Sequence, residues 1–209
     1  MRILIISDIH ANLTALEAVL DDAPTADAVW CLGDLVGYGP DPNECMKRVQ
    51  ELPNLVCLLG NHDAAVAGVI DITSFNNEAR MAVLWTQSVI EQVHLNYLQA
   101  LSPQTVIDSV SLAHGSPRQP IWEYLLDTRT AFENFEYFET PFCFVGHSHL
   151  PVVFQMANER GTTDLSIPAA DSSLKMVPRA IYNPGSVGQP RDRDPRAAYA
   201  VFDTDRQTW

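Results

Sequence analysis

Residues 2–10 read Arg2-Ile3-Leu4-Ile5-Ile6-Ser7-Asp8-Ile9-His10. Four apolar residues in a row leave no polar face for water, so the run predicts a strand buried on both sides. It ends in Ser7-Asp8, and one residue later comes His10. Alternation along an extended segment puts Asp8 and His10 on the same side.

Outward from this stretch the pattern repeats. Leu13, Leu16, Val19 and Leu20 share one face of a helix, with Asn12 or Thr14 as its cap and Thr14-x-x-Glu17 fitting a capping box. Residues 27–32 form a second strand, followed by Gly33-Asp34. Residues 42–51 read as a helix with Pro42 early and Pro53 beyond its end. Residues 55–59 form a third strand, followed by Gly60-Asn61-His62-Asp63. Strands and helices alternating in this way point to a parallel α/β core.

Residues 75–101 read as mostly helical, stopped by Pro103. Beyond them lie short strand candidates at 105–113, 142–145, 152–156, 176–182 and 197–202, with one helical stretch at 122–138. These suggest a second, partly antiparallel sheet. Residues 157–174, holding Asn158, Gly161, Pro168 and Asp171, read as a surface hairpin and loop.

A chain of 209 residues favours one compact domain over residues 1–209 and can bury a full core. After residue 202 comes Asp203-Thr204-Asp205-Arg206, a turn composition. The strand pairing with 197–202 is therefore expected to be absent or stunted, in a naturally short or a truncated chain. The net charge of −13 opposes general binding to a phosphate backbone or to anionic lipid. No apolar run approaches the roughly 20 residues of a membrane span, and the start lacks a signal-peptide pattern, so a cytoplasmic location is expected. The four cysteines form no C-x-x-C pair, and Cys31, Cys57 and Cys143 in strand-like runs read as buried, inert thiols.

Each strand ends in chemistry. Asp8 and His10, Asp34, Asn61, His114, and His147 and His149 all follow strand candidates. Ligands of open α/β sheets bind outside the carboxyl ends of the strands, so these residues would meet at one rim. Imidazole, carboxylate and amide without thiolate suit Mn, Fe, Ni, Co or Zn. Seven such ligands are too many for one ion with an open position. They suit two ions about 3.5–4 Å apart that share a carboxylate.

The ordered motifs Asp8-Ile9-His10, Gly33-Asp34, Gly60-Asn61-His62-Asp63, His114 and Gly146-His147-Ser148-His149 resemble the calcineurin-like metallophosphoesterase superfamily, and the resemblance continues into Asn183-Pro184-Gly185-Ser186. Within it the chain looks like the small prokaryotic phosphoesterases, some labelled phosphodiesterases and others diadenosine polyphosphate hydrolases. The resemblance implies a four-layer α/β/β/α sandwich with a dinuclear site at its rim. Asp8, His10, Asp34 and His149 would hold the first ion, with Asp34 bridging. Asn61, His114 and His147 would complete the second. His62 would stand by the leaving group as general acid, supported by a carboxylate, of which Asp63 is nearest in sequence. Two divalent transition-metal ions, Mn foremost, are the expected cofactors.

The protein phosphatases of the superfamily carry Arg after the second and third motifs. Here those places hold Leu35-Val36 and Ala64-Ala65, which disfavours that activity. The expected substrate is a small phosphodiester or nucleotide-like phosphate ester, with a phosphomonoester or dinucleotide polyphosphate as alternatives. A non-catalytic interaction scaffold on the same fold is the alternative of another class. Arg118 and Arg191 are candidate phosphate contacts. Tyr38 and Trp122 read as packing residues able to stack on a base, and His94 as a surface or boundary residue.

Overall fold

The computed structural model describes residues 1–158 and 162–209. Two sheets lie face to face between helical layers. The first has the order β10-β1-β2-β3, built from β1 (Arg2–Ile6), β2 (Ala28–Cys31), β3 (Val56–Cys57) and β10 (Ala200–Asp203). The second runs β4-β5-β6-β9-β7-β8, from β4 (Gln104–Ile107), β5 (Val110–Ala113), β6 (Phe142–Val145), β7 (Pro151–Asn158), β8 (Thr162–Ser166) and β9 (Ala180–Pro184). Strands β1, β2 and β3 are parallel, as are β5, β6 and β9. The four-layer mixed sandwich is thus present.

Side-chain alternation builds the layers. Leu4, Ile6, Val29 and Cys31 face α1 (Leu13–Asp22), α2 (Pro42–Gln50), α3 (Asn61–Val66), α4 (Asn77–Val89) and α5 (Gln92–Ala100). Ile3, Ile5, Trp30 and Leu32 face the second sheet, where Leu112, Phe144 and Tyr182 meet them. Ala113, Cys143 and Val145 turn the other way, onto α6 (Thr128–Asn134). Strands β1, β2, β5, β6 and β9 are covered on both faces, which is why they read as apolar runs.

Several local readings are corrected. Asn12, not Thr14, caps α1, its side chain accepting from Ala15 N at 3.1 Å. Residues 105–113 are a hairpin of two antiparallel strands, not one strand. It turns through Asp108, whose φ is +50°. The helix expected over 122–138 is confined to Thr128–Asn134 plus one 3₁₀ turn at Phe135–Tyr137, because residues 122–125 serve the functional rim. His94 is buried, its Nδ1 3.3 Å from Gln50 Nε2. Cys31 and Cys143 are buried and Cys57 partly so. The antiparallel pair β7–β8 accounts for part of 157–174, while residues 159–161, with Gly161, lie outside the described residues.

Strand β10 pairs antiparallel with β1 at the edge of the first sheet. The chain then turns, and Trp209 packs on Phe144 and Tyr182 at centroid distances of 4.8 and 5.1 Å. Among the described residues no helix is long and apolar enough to cross a membrane.

Candidate metal centre

The parallel strands deliver their carboxyl ends to one rim. Asp8, His10, Asp34, Asn61, His62, His114, His147 and His149 gather there, none more than 4% exposed. The turns that present them are tight. Asp8, His10, Asp34, His147 and His149 all sit at positive φ, between 49° and 62°. Left-handed backbone at a residue with a Cβ costs on the order of 1 kcal/mol, and it clusters where geometry serves function. Two glycines are required by close approach. A Cβ on Gly60 would strike Asp34 Oδ1, and one on Gly37, at φ +92°, would lie 2.5 Å from His62 Nδ1.

Each carboxylate has one oxygen anchored and one free. Asp34 Oδ1 accepts from His62 N at 2.8 Å, and Asp8 Oδ2 accepts from His147 N at 3.0 Å. Asp8 Oδ1 is buried with no hydrogen-bond partner among the described residues. Burial, with the charges of Asp63 and Asp8, pushes the Asp34 carboxyl well above its ordinary range.

The histidines are set by backbone carbonyls. His10 Nδ1 donates to Val36 O at 3.1 Å, His114 Nδ1 to Leu32 O at 2.8 Å, and His149 Nδ1 to Gln189 O at 2.5 Å. A carbonyl can only accept, so these nitrogens carry the protons and the three neutral rings keep bare Nε2 lone pairs. His147 is reversed: its Nε2 donates to Trp122 O at 3.3 Å, which leaves Nδ1 bare. Such outer partners fix tautomers in metal sites.

The consequence is acceptor set against acceptor, with His149 Nε2 also 3.3 Å from Asp8 Oδ1. His10 Nε2 faces His149 Nε2 at 3.2 Å, and His114 Nε2 faces Asn61 Oδ1 at 3.1 Å. Asp34 Oδ2 lies between them, 3.7 Å from His10 Nε2 and 3.6 Å from His114 Nε2. Lone pairs packed this closely in a dry interior repel unless a cation takes them up. Three sets have all their ligand atoms within 4.8 Å of one another: Asp8-His10-His149, His10-Asp34-His62 and Asp34-His114-His147. The donor set fits divalent transition ions.

His62 stands beside this cluster. Its ring lies 4.6 Å from Tyr38, 4.9 Å from His10 and 5.0 Å from Phe75, centroid to centroid. Burial and then the His114 charge hold its pKa down to about 3. Asp63 does not support it. That carboxylate accepts from Val36 N and Gly60 N, each at 3.1 Å, and burial lifts its pKa to about 6.

The two arginines part company. Arg118 is taken up by Glu123 and by Glu133, the latter at 2.8 Å, which leaves no free edge for a phosphate. Arg191 is exposed, bonded only to Gln189 Oε1 at 2.9 Å among the described residues, and its charge reaches His62 and Tyr38.

Sequence reasoning missed the residues that hold these loops. Asn183 donates to Gly146 O at 2.7 Å and to Ser148 Oγ at 3.0 Å, and Ser186 Oγ donates to Asp8 O at 2.8 Å. The Asn-Pro-Gly-Ser stretch was visible as a motif, though nothing local assigned its task. Tyr124, stacked on the His147 ring at 3.9 Å and 26°, gave no signal beforehand.

Comparison with known proteins bears on the family and the fold. Residues 1–207 match the family described as the calcineurin-like phosphoesterase superfamily domain. An uncharacterized protein of Methanocaldococcus jannaschii is 39% identical over 209 residues, covering 96% of this chain and 82% of that protein. The crystal structure of a metallophosphoesterase from Sphaerobacter thermophilus superposes with a TM-score of 0.90 at 47% identity, covering 100% of this chain and 85% of that one. A symmetrical bis(5'-nucleosyl)-tetraphosphatase of Erwinia tasmaniensis is 41% identical over 73 residues, 33% of this chain and 27% of that enzyme.

Proposed function

The chain belongs to the calcineurin-like phosphoesterase superfamily, and from that premise we propose that it hydrolyses a phosphodiester or nucleotide-type phosphate ester with two divalent transition-metal ions, Mn foremost. Asp8, His10, Asp34 and His149 would hold one ion, and Asp34, Asn61, His114 and His147 the other. Ions bound there would acidify water towards hydroxide near neutral pH and neutralise charge on the phosphoryl oxygens. The observation that carries this reading is the pair of acceptor-against-acceptor contacts flanking Asp34 Oδ2.

The protein's own groups do the rest. Backbone N–H groups of His62 and His147 hold the two carboxylates in place. His62, clamped by Tyr38, His10 and Phe75, faces the leaving oxygen. It is neutral at rest and takes up a proton when the substrate's negative charge arrives, then passes it to the departing alkoxide. Arg191 meets a phosphate oxygen from the solvent side, while Arg118 serves the loop that carries Trp122 and Tyr124. A nucleotide-type substrate is favoured by the partial match to a tetraphosphatase and by the absence of the protein-phosphatase arginines.

The test is hydrolysis of bis(p-nitrophenyl) phosphate by metal-stripped protein with and without Mn²⁺. Metal-dependent turnover is expected. Two bound ions with no turnover of any phosphoester would move the protein to the scaffold reading.

A further inference from the structure

A wall of aromatic rings runs along one side of the metal centre. His62 meets Phe75 edge-on at 5.0 Å, and Phe75 meets Trp122 edge-on at 5.0 Å. The Trp122 carbonyl accepts from His147, and the Tyr124 ring lies flat over that same imidazole. The wall thus spans from the residue nearest the leaving group to a metal-facing histidine. Its outer members are wet: Trp122 is 37% exposed and Tyr124 43%.

These rings are held in place beforehand. Glu123, between them in sequence, accepts from Ser116 Oγ at 2.6 Å and from Asn134 Nδ2 at 2.8 Å, and it pairs with Arg118. Gly115 N donates to Pro120 O at 2.6 Å and closes the base of the loop. Exposed, pre-ordered aromatic faces beside the metal centre suit the stacking of a planar ring. A pre-ordered stacking surface loses little conformational freedom on binding. Tyr38 adds a further ring to the same rim, 4.6 Å from His62 and 4.9 Å from His10, centroid to centroid.

We propose that Trp122 and Tyr124 form the subsite that stacks a nucleobase, making the substrate a nucleoside phosphate ester. This rests on the phosphoester reading of the metal centre and assigns the specificity within it.

The test is calorimetric binding of AMP and of ribose 5-phosphate to the Mn²⁺-loaded protein, which differ only in the base. Base stacking on aromatic side chains predicts AMP binding roughly tenfold tighter. In Trp122→Ala and Tyr124→Ala the ratio of the two affinities falls to within about twofold. Trp122→Phe and Tyr124→Phe, which keep a ring, retain most of it, and metal content of two ions per chain shows that the centre survives. Equal binding of the two ligands to the unaltered protein, with metal-dependent diester turnover intact, overturns the stacking subsite alone. Failure of both ligands to bind, together with no turnover, overturns the phosphoester reading and the subsite with it.

Discussion

The two sheets bring unlike chemistry to the rim. The first sheet ends in oxygen: Asp8, Asp34 and Asn61, with His10 and His62 beside them. The second ends in imidazole alone, at His114, His147 and His149. Of the three candidate ligand sets, His10-Asp34-His62 lies on the first rim alone, while Asp8-His10-His149 and Asp34-His114-His147 draw on both rims. The link is made across the interface, where Leu32 O of the first sheet sets the His114 ring and His147 N of the second anchors Asp8. Both carboxylates come from the first sheet, and the bare nitrogens that face them come from His10 of that sheet and from the histidines of the second. An interior holding two carboxylates against bare nitrogens is costly without cations. The difference between the rims is a reason for the protein to want metal.

The largest effect should come from the residue between the two groups. Asp34→Asn is expected to lose both ions and to cut turnover by roughly three orders of magnitude or more. Metal content per chain, measured with kcat on the same sample, checks it. Retention of one full ion would mean that the sheets bind metal independently.

His62 sharpens the contrast, since it sits on the first rim and is assigned no ion. His62→Ala should lower kcat by about 10²-fold or more while both ions stay. Loss of an ion in this variant would defeat the proton-donor role.

Acid should separate the rims next. Burial holds His10, His62, His114 and His147 below their ordinary value, with His62 and His147 at about 3. Below about pH 6.5 the unfolded chain takes up protons at these four rings more readily than the folded, metal-free chain does. Asp34 and Asp63 act oppositely, because burial raises them and they bind protons in the folded state first. The four histidines outnumber the two carboxyls, so the balance favours proton uptake by the unfolded chain. Metal-free protein should therefore lose stability on acidification from pH 6.5 to 5. Thermal melts at pH 6.5 and 5 with a chelator would show it. A melting temperature that is flat or rises towards pH 5 contradicts the neutral-histidine arrangement.

The smallest effects concern the arginines. Arg191→Ala should raise KM by about three- to tenfold through loss of a phosphate contact. Arg118→Ala should lower the melting temperature more than it alters KM, since it leaves Glu123 without its cation. The reverse ranking would reassign the phosphate contact to Arg118.

Much of this architecture was legible in residue order. The doubly covered strands announced themselves as apolar runs, and polar motifs at their ends marked the rim. What failed to read was local structure answering to distant partners. Residues 122–127 carry an aromatic pattern that suits a helix, yet they form a loop because Trp122 and Tyr124 meet His147. His94 sits in a helix of mixed polarity and is buried because Gln50 supplies a partner. Asp63 follows His62 directly but binds backbone N–H groups, since α3 starts there and needs its first donors satisfied.

The sequence by itself determined the donor types, their order along the chain and their place at strand ends. It also determined that they suit divalent transition ions. Only the tertiary structure decided which nitrogen of each imidazole is bare, which carboxylate oxygen is free, and which arginine is open to solvent. The reason is one of reach. The proton on His114 is placed by a carbonyl 82 residues away, and that on His149 by one 40 residues away. A pattern of neighbours along the chain carries no information about a hydrogen-bond partner that arrives only when the two sheets close.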